Sequence, residues 1–157
     1  MIIIKRYIGC DPGKTGALVC ISEDGVEIVP FEEEAYRDAL ERWSKDSFVA
    51  AIERVSALPG QGVSSTFTFG QNFGYTQGLM YAFKIPVNLV SPAVWKKEFS
   101  VQMGKDASKA EKKAKTIACM KRLFPDVSLK RTERSRTDDD GISDALAIAE
   151  YCRRKFR

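Results

Sequence analysis

The sequence contains no histidine. That absence excludes the Ser/His and Cys/His nucleophile systems and leaves carboxylates, lysines and water for any chemistry. The four cysteines form no CxxC pair, and Cys10 and Cys20 lie in apolar segments, so we expect reduced core thiols of a cytoplasmic protein. No apolar run is long enough to span a membrane. Lys5 and Arg6 interrupt the apolar start too early for a secretory signal.

The 157 residues are 44% apolar and 29% charged, which predicts a single globular domain over residues 1–157. Charge is distributed unevenly along the chain. Residues 23–46 hold nine acids against three bases, whereas residues 101–136 hold eleven bases against four acids. The basic segment is typical of a surface that binds a polyanion, although a solvated basic face without a ligand is an alternative interpretation.

Apolar periodicity and turn residues predict a mixed order of strands and helices. We expect strands at 2–10, 17–22, 26–30, 48–53 and 86–90, and helices at 32–45, 65–83, 108–124 and 139–154, with a further helix after Ser91-Pro92. This order predicts an α/β protein with a mixed five-stranded sheet and helices on both faces, as in the ribonuclease H-like fold.

Three finer expectations concern the connecting segments. Gly70, Gly74 and Gly78 recur every four residues and predict a smooth helix face that another backbone can approach. Residues 128–137 lack apolar anchors and predict a mobile basic loop. The helix after the Ser108/Glu111 capping box has these apolar residues available to face the core: Ala110, Ala114, Ile117, Ala118 and Met120.

Four acidic residues lie at predicted strand ends or on one face of the last predicted helix, where a carboxylate is rarely found without a functional reason. Asp11 follows the first strand in the turn DPGKTG, and Glu53 ends the fourth. Asp140 and Asp144 are four apart and share one face of the last helix. At about 5 Å and an effective dielectric near 20, two carboxylates repel by roughly 3 kcal/mol. The cluster therefore predicts a Mg²⁺ or Mn²⁺ site, with two ions able to activate water for phosphodiester cleavage.

Capping is an alternative explanation for part of the acidic run. Asp138 and Asp139 precede the last helix, where acids favour the positive end of the helix dipole without any metal.

Three segments together are similar to a known family. IGCDPGKTGALV, AIERV and DGISDALAIAEYCRR resemble the RuvC-like Holliday junction resolvases, particularly the short phage forms. The resemblance covers nearly the whole chain. It implies a homodimeric, Mg²⁺- or Mn²⁺-dependent endonuclease that makes paired nicks in four-way DNA junctions, in the cytoplasm of a bacterium or phage-infected host. It also implies that Asp11, Glu53, Asp140 and Asp144 are metal-binding catalytic acids.

The sequence departs from the bacterial pattern of that family in two places. The acids of the last helix are usually three apart there, so Asp139 is a candidate to share the third ligand role. An aromatic residue that contacts junction bases is replaced here by Ser56. Phe67, Phe69 and Phe73 are candidate substitutes for base stacking, and core packing explains two of the three equally well.

The resemblance also implies lysines near the metal site that contact the scissile phosphate. Lys109 and Lys112 lie in the matching region and are predicted to be catalytic, with Lys105 as a further candidate. The predicted DNA-binding residues are Lys105, Lys109, Lys112, Lys113, Phe67, Phe69, Arg131 and Arg134.

Three other functions compete with this interpretation. The DPGKTG turn also resembles the phosphate-binding turn of sugar kinases and actin-like ATPases, but those need two such domains around a nucleotide. A RuvC-like nuclease that processes RNA shares the fold and the acids. A non-catalytic DNA-binding protein would retain the fold with structural acids.

Overall fold

A five-stranded mixed sheet forms the centre of the computed structural model, which describes residues 5–157. The strands, in chain order, are β1 (Arg6–Asp11), β2 (Ala17–Ser22), β3 (Gly25–Pro30), β4 (Phe48–Glu53) and β5 (Val87–Val90). Their spatial order is β3-β2-β1-β4-β5. The first three strands form an antiparallel meander, and β4 and β5 run parallel to β1. The predicted mixed sheet is confirmed, while the first residues predicted for β1 lie outside the described range.

Within the described range, five helices accompany the sheet. They are α1 (Glu33–Trp43), α2 (Val63–Ala82), α3 (Pro92–Glu98), α4 (Lys109–Leu123) and α5 (Asp140–Phe156). The Ser108/Glu111 capping box is present at the start of α4, as predicted. Among residues 5–157, no helix is both long and apolar enough to cross a bilayer.

Both faces of the sheet are buried because successive strand residues point to opposite sides. Ile8 and Cys10 of β1 pack with α1 and α2 on one face, while Tyr7 packs with α3, α4 and α5 on the other. The helices on two faces confirm the predicted layering. All four cysteines are buried and unpaired.

The last helix lies unusually close to the central strand. A Cβ atom built on Gly9 of β1 would overlap the backbone of Ala145 and Ala149 in α5. One built on Gly141 would overlap the carbonyl oxygen of Thr15, in the turn after β1. Glycine at these two positions therefore lets α5 rest directly on β1 and lets its first turn contact the DPGKTG turn.

The inward face of α4 differs from the predicted one. Ala110, Ala114 and Ala118 are exposed, whereas Thr116 and Cys119 are buried. Met120 is buried and Ile117 partly buried, as predicted. Because the helix contacts mainly α5, a narrow stripe of its surface is enough to cover that neighbour, and small alanines gain little from burial.

Residues 128–137 are also better anchored than predicted. Leu129 is buried in the core, and Asp139 donates its backbone N–H to the Leu129 carbonyl oxygen at 2.7 Å. Arg131 makes internal hydrogen bonds described below. A single apolar residue and one guanidinium group therefore fix the segment that composition alone predicted to be mobile.

The glycine stripe of α2 faces away from the rest of the chain. Gly70, Gly74 and Gly78 are exposed, and a Cβ built on each would meet no atom within 4 Å. Packing among residues 5–157 therefore does not offset the cost of three helical glycines.

We predict that Gly9→Ala lowers the free energy of unfolding by at least about 2 kcal/mol, because the added methyl group must push α5 off β1. Gly104→Ala is the matched control, since a Cβ there meets open space and the backbone conformation is ordinary. It should change stability by less than about 1 kcal/mol. Urea denaturation measures both variants, and equal stability of the two would contradict the proposed close contact.

Candidate functional site

Three elements bring the predicted acids to one end of the sheet. Asp11 is the last residue of β1, and Glu53 is the last residue of the parallel neighbour β4. The register pairs Cys10 with Ile52, so both acids leave the sheet at its carboxyl edge. Asp140 opens α5, and Asp144 follows one turn later on the helix that rests on β1.

The charges of these acids act on one another. Burial raises the pKa of Asp11 well above its usual value, and the charges of Glu53, Asp144 and Asp140 raise it further. Burial, followed by the charge of Glu53, raises the pKa of Asp144 to about 7. Neither Asp11 nor Asp144 has a side-chain hydrogen bond or ion pair within the described part of the chain. The fold therefore concentrates carboxylates at one end of the sheet and makes ionisation of Asp11 and Asp144 unfavourable.

The chemistry of this donor set fits a hard divalent cation, but the side chains are not yet arranged around one. Carboxylate oxygens are the ligands that Mg²⁺ and Mn²⁺ prefer. Among residues 5–157, however, no three His, Cys, Asp or Glu side chains are positioned to hold a metal ion. The four acids therefore share one end of the sheet, and their role as metal ligands stays a prediction.

Two lysines lie beside the acids, and neither belongs to the pair predicted to be catalytic. Lys113 pairs with Asp140 at 2.8 Å between Nζ and Oδ2. The charge of Lys96, on α3, lowers the pKa of both Glu53 and Asp144 against the upward effect of burial. Sequence reasoning missed Lys96, because its placement depends on the pairing of β5 with β4.

Glu53 is held by a buried tryptophan. The indole N–H of Trp95, on α3, donates to Oε2 of Glu53 at 2.7 Å. Burial raises the pKa of Glu53, while the hydrogen bond from Trp95 and the charge of Lys96 partly offset that rise. No sequence signal pointed to this pairing.

Asp139 caps α5 and binds Arg131. Its Oδ1 accepts the N–H of Ile142 at 3.0 Å, and the Arg131 guanidinium donates to both of its carboxylate oxygens at 2.7 and 2.9 Å. Burial would raise the pKa of Asp139, but these hydrogen bonds bring it below its usual value. The capping prediction is confirmed. Both oxygens are already engaged, which argues against a share in the third ligand role.

Arg131 connects that cap to the turn after β1. It also donates to the carbonyl oxygens of Thr15 and, at 3.4 Å, of Gly16. The Arg131 guanidinium therefore has a role within the fold, and its predicted DNA contact stays a prediction.

The three candidate aromatics occupy different environments. Phe67 is 67% exposed, Phe69 lies against Gly13 of the DPGKTG turn, and Phe73 packs from α2 onto the core that α2 shares with α1. Leu58 and Val63, which the sequence analysis did not select, are 61% and 88% exposed in the segment leading to Phe67. Phe67 is thus the most exposed of the three, Phe69 and Phe73 are partly buried, and Ser56 is exposed.

The other predicted DNA contacts are solvent-accessible. Lys105, Lys109 and Arg134 are exposed, and Lys112 is half-buried at the first turns of α4. Since Lys113 reaches Asp140, the start of α4 lies beside the acidic end of the sheet.

The fold matches solved structures, whereas no family model and no curated protein matches the sequence. RuvC of Thermus thermophilus, in complex with a Holliday junction substrate, is 18% identical with a TM-score of 0.57 over 92% of this chain and 90% of that one. A second Thermus thermophilus RuvC structure gives 18% identity and a TM-score of 0.56 over 94% of this chain and 95% of that one. The yeast mitochondrial Holliday junction resolvase Ydc2 aligns at 17% identity over 99% of this chain and 86% of that one, with a TM-score of 0.47. The chain therefore has the RuvC-type, ribonuclease H-like fold that the order of its elements predicted.

We predict that the metal-free protein becomes less stable as pH rises from about 4 to about 7. Over that interval the unfolded state has already released the Asp144 proton, whereas the folded state, with a pKa of about 7, still holds it. Asp144→Asn should raise the free energy of unfolding at about pH 8 by about 1–3 kcal/mol and flatten this slope. Urea denaturation in the presence of a chelator measures the effect.

Asp126→Asn is the control for this pH dependence, because Asp126 is an exposed acid after α4. It should leave the slope unchanged. If the wild type and Asp144→Asn show the same slope of stability against pH, Asp144 is not the group whose titration causes the pH dependence.

Proposed function

We propose that this protein is a divalent-metal-dependent endonuclease that cleaves phosphodiester bonds in branched DNA, with the four-way junction as its substrate. The observation that carries the proposal is the cluster of acids at the carboxyl edge of the sheet. Asp11 and Asp144 are kept close to other carboxylates, without an ion pair or hydrogen bond of their own among the described residues.

Each residue has a distinct task in this proposal. Asp11, Glu53, Asp140 and Asp144 provide the oxygen ligands, with Mg²⁺ as the ion and Mn²⁺ as a substitute. Two bound ions would supply an activated water and stabilise the leaving oxygen. Lys96 and Lys113, which flank the acids, bind the scissile phosphate and offset the charge that develops on it.

The surface around the acids suits a polyanion. The exposed lysines at the start of α4 and in the preceding loop supply phosphate contacts, which dominate the affinity of proteins for DNA. Phe67, Leu58 and Val63 add exposed apolar groups to this end of the molecule, where unpaired bases at a crossover can stack or pack. Duplex DNA offers no such bases, which favours a branched substrate.

The fold adds support from one neighbour. The Thermus thermophilus RuvC with the same fold was solved with a Holliday junction substrate, and this is the substrate that we propose here. We also propose a homodimer that pairs through the exposed glycine face of α2, since paired nicks need two active sites and small residues let two helices approach closely.

A non-catalytic DNA-binding protein is the second candidate. It is favoured by the finding that, in residues 5–157, no three acids are positioned to hold an ion. In that case the basic surface would bind branched DNA while the acids remained protonated or unpaired. A nuclease that acts on structured RNA would use the same acids. It differs from the first proposal only in its substrate.

We predict that Asp11→Asn reduces nicking of a labelled four-way junction by at least roughly a hundredfold, because several kcal/mol of charge stabilisation are lost. Junction binding should persist or tighten, since removing one negative charge lowers repulsion of the phosphates. The assay uses a four-way junction, linear duplex and structured RNA as separate substrates, each with and without Mg²⁺.

Asp126→Asn is again the control and should cleave at the wild-type rate. Equal cleavage by Asp11→Asn would refute the metal role of Asp11. If the wild-type protein binds but does not cleave under any condition, the non-catalytic candidate is favoured. Preferential cleavage of RNA would assign structured RNA as the substrate in place of the four-way junction.

We also predict that replacing Lys109, Lys112 and Lys113 with glutamine weakens junction binding and flattens its dependence on salt, because fewer phosphate contacts release fewer counterions. The matched triple variant replaces Lys5, Lys45 and Lys84, which precede the parallel strands at the opposite end of the sheet. Fluorescence anisotropy at several salt concentrations measures both. Equal salt slopes for the two triple variants would exclude the start of α4 as the DNA-binding surface.

A further inference from the structure

Trp95 is placed next to the acidic site by the strand that precedes it. β5 pairs with β4 so that Val90 lies opposite Glu53, and the backbone N–H of Arg54 bonds to the Val90 carbonyl oxygen at 2.7 Å. Ser91 and Pro92 then start α3, which turns the chain back over the end of β4. The fully buried indole of Trp95 arrives against the Glu53 side chain as a result.

The contact between these two side chains is specific. Trp95 donates its indole N–H to Oε2 of Glu53 at 2.7 Å, and Oε1 accepts no hydrogen bond from the described residues. Lys96 is the next residue in the chain, and its Nζ atom lies 5.3 Å from the centre of the Trp95 ring. A buried indole N–H needs an acceptor, and here the acceptor belongs to the acid cluster.

We propose that Trp95 is a positioning residue, which fixes one oxygen of Glu53 and so directs the other oxygen of that carboxylate to the ion or substrate. The proposal rests on the proposed function. A carboxylate at the end of a strand has several rotamers, and repulsion from Asp11 and Asp144 favours those that point away from the cluster. The hydrogen bond from Trp95 limits that freedom before any ligand arrives, which reduces the cost of ordering the site.

A second tryptophan provides a matched comparison. Trp43, at the end of α1, is also fully buried and donates its indole N–H to a glutamate, Oε2 of Glu27, at 2.8 Å. That pair lies beside Arg6 and Arg42 at the opposite end of the sheet. Trp43→Phe and Trp95→Phe therefore remove the same kind of hydrogen bond, and only the second removes it from the acidic site.

The first experiment measures Mn²⁺ binding through the ion-dependent rise in melting temperature. We expect Trp95→Phe to weaken Mn²⁺ binding by about tenfold, as for other residues that orient a metal ligand, and Trp43→Phe to leave it unchanged. At saturating junction the cleavage rate of Trp95→Phe should fall at low Mn²⁺ and recover partly at high Mn²⁺, while junction affinity stays the same. Equal Mn²⁺ affinity in the two variants would overturn the proposal.

The second experiment leaves Trp95 in place and does not depend on the folding of Trp95→Phe. Trp43→Phe contains Trp95 as its single tryptophan, since the chain has only two. Mn²⁺ should change the fluorescence of Trp95 in this variant with the same midpoint concentration as the rise in melting temperature. Adding Glu53→Gln to the variant should remove this response. If Mn²⁺ raises the melting temperature but leaves the Trp95 fluorescence constant over the same concentrations, the positioning role is overturned.

The two levels of the hypothesis fail differently. If the wild-type protein neither binds Mn²⁺ nor cleaves the junction, the proposed function and the role of Trp95 both fail. If the wild-type protein does both and Trp95→Phe behaves as Trp43→Phe does, only the role of Trp95 fails.

Discussion

The contact between the backbones of β1 and α5 is the constraint on which the acidic site depends. Gly9 leaves no side chain between the central strand and the helix, so Ala145 and Ala149 rest on the strand itself. Since Asp144 directly precedes Ala145, this contact fixes its distance from Asp11, two residues after Gly9. Any larger residue at position 9 would separate these two acids before it altered the rest of the core. The geometry of the site is therefore set by packing rather than by attraction between its own groups.

The ion pairs near the site lie at its outer edge and leave its two more buried acids without one. Arg131 joins Asp139 to the turn after β1, and Lys113 pairs with Asp140. Asp11 and Asp144, which are the more buried acids, receive no such partner among the described residues. This division keeps the start of α5 in place through groups that lie outside the cluster. It also leaves the inner carboxylates available, at a cost in stability that increases as they ionise.

Sequence patterns predicted the elements and the acids better than they predicted the contacts between them. The bounds of β4 were predicted correctly, because a short apolar run ends at a single acid before a Pro/Gly-rich loop. The position of Glu53 beside Asp11 follows from two adjacent parallel strands. Trp95 and Lys96 were missed, since their partner is distant in sequence and the helix that carries them contains no motif. The anchoring of residues 128–137 was missed because only Leu129 and Arg131 provide it.

A likeness at 18% identity supports the fold, so the choice between a nuclease and a binding protein depends on the acids themselves. Structural roles are sufficient for Asp139, which caps α5, and for Asp138, which pairs with Lys121 at 2.9 Å. They are not sufficient for Asp11 and Asp144, which gain no hydrogen bond or ion pair from the described residues and whose ionised forms are destabilised by burial and by neighbouring carboxylates. If these two carboxylates were purely structural, asparagine could replace each of them without loss of stability. A bound cation would turn this repulsion into a stabilising interaction, and for that reason we favour the proposed metal-dependent reaction over DNA binding alone.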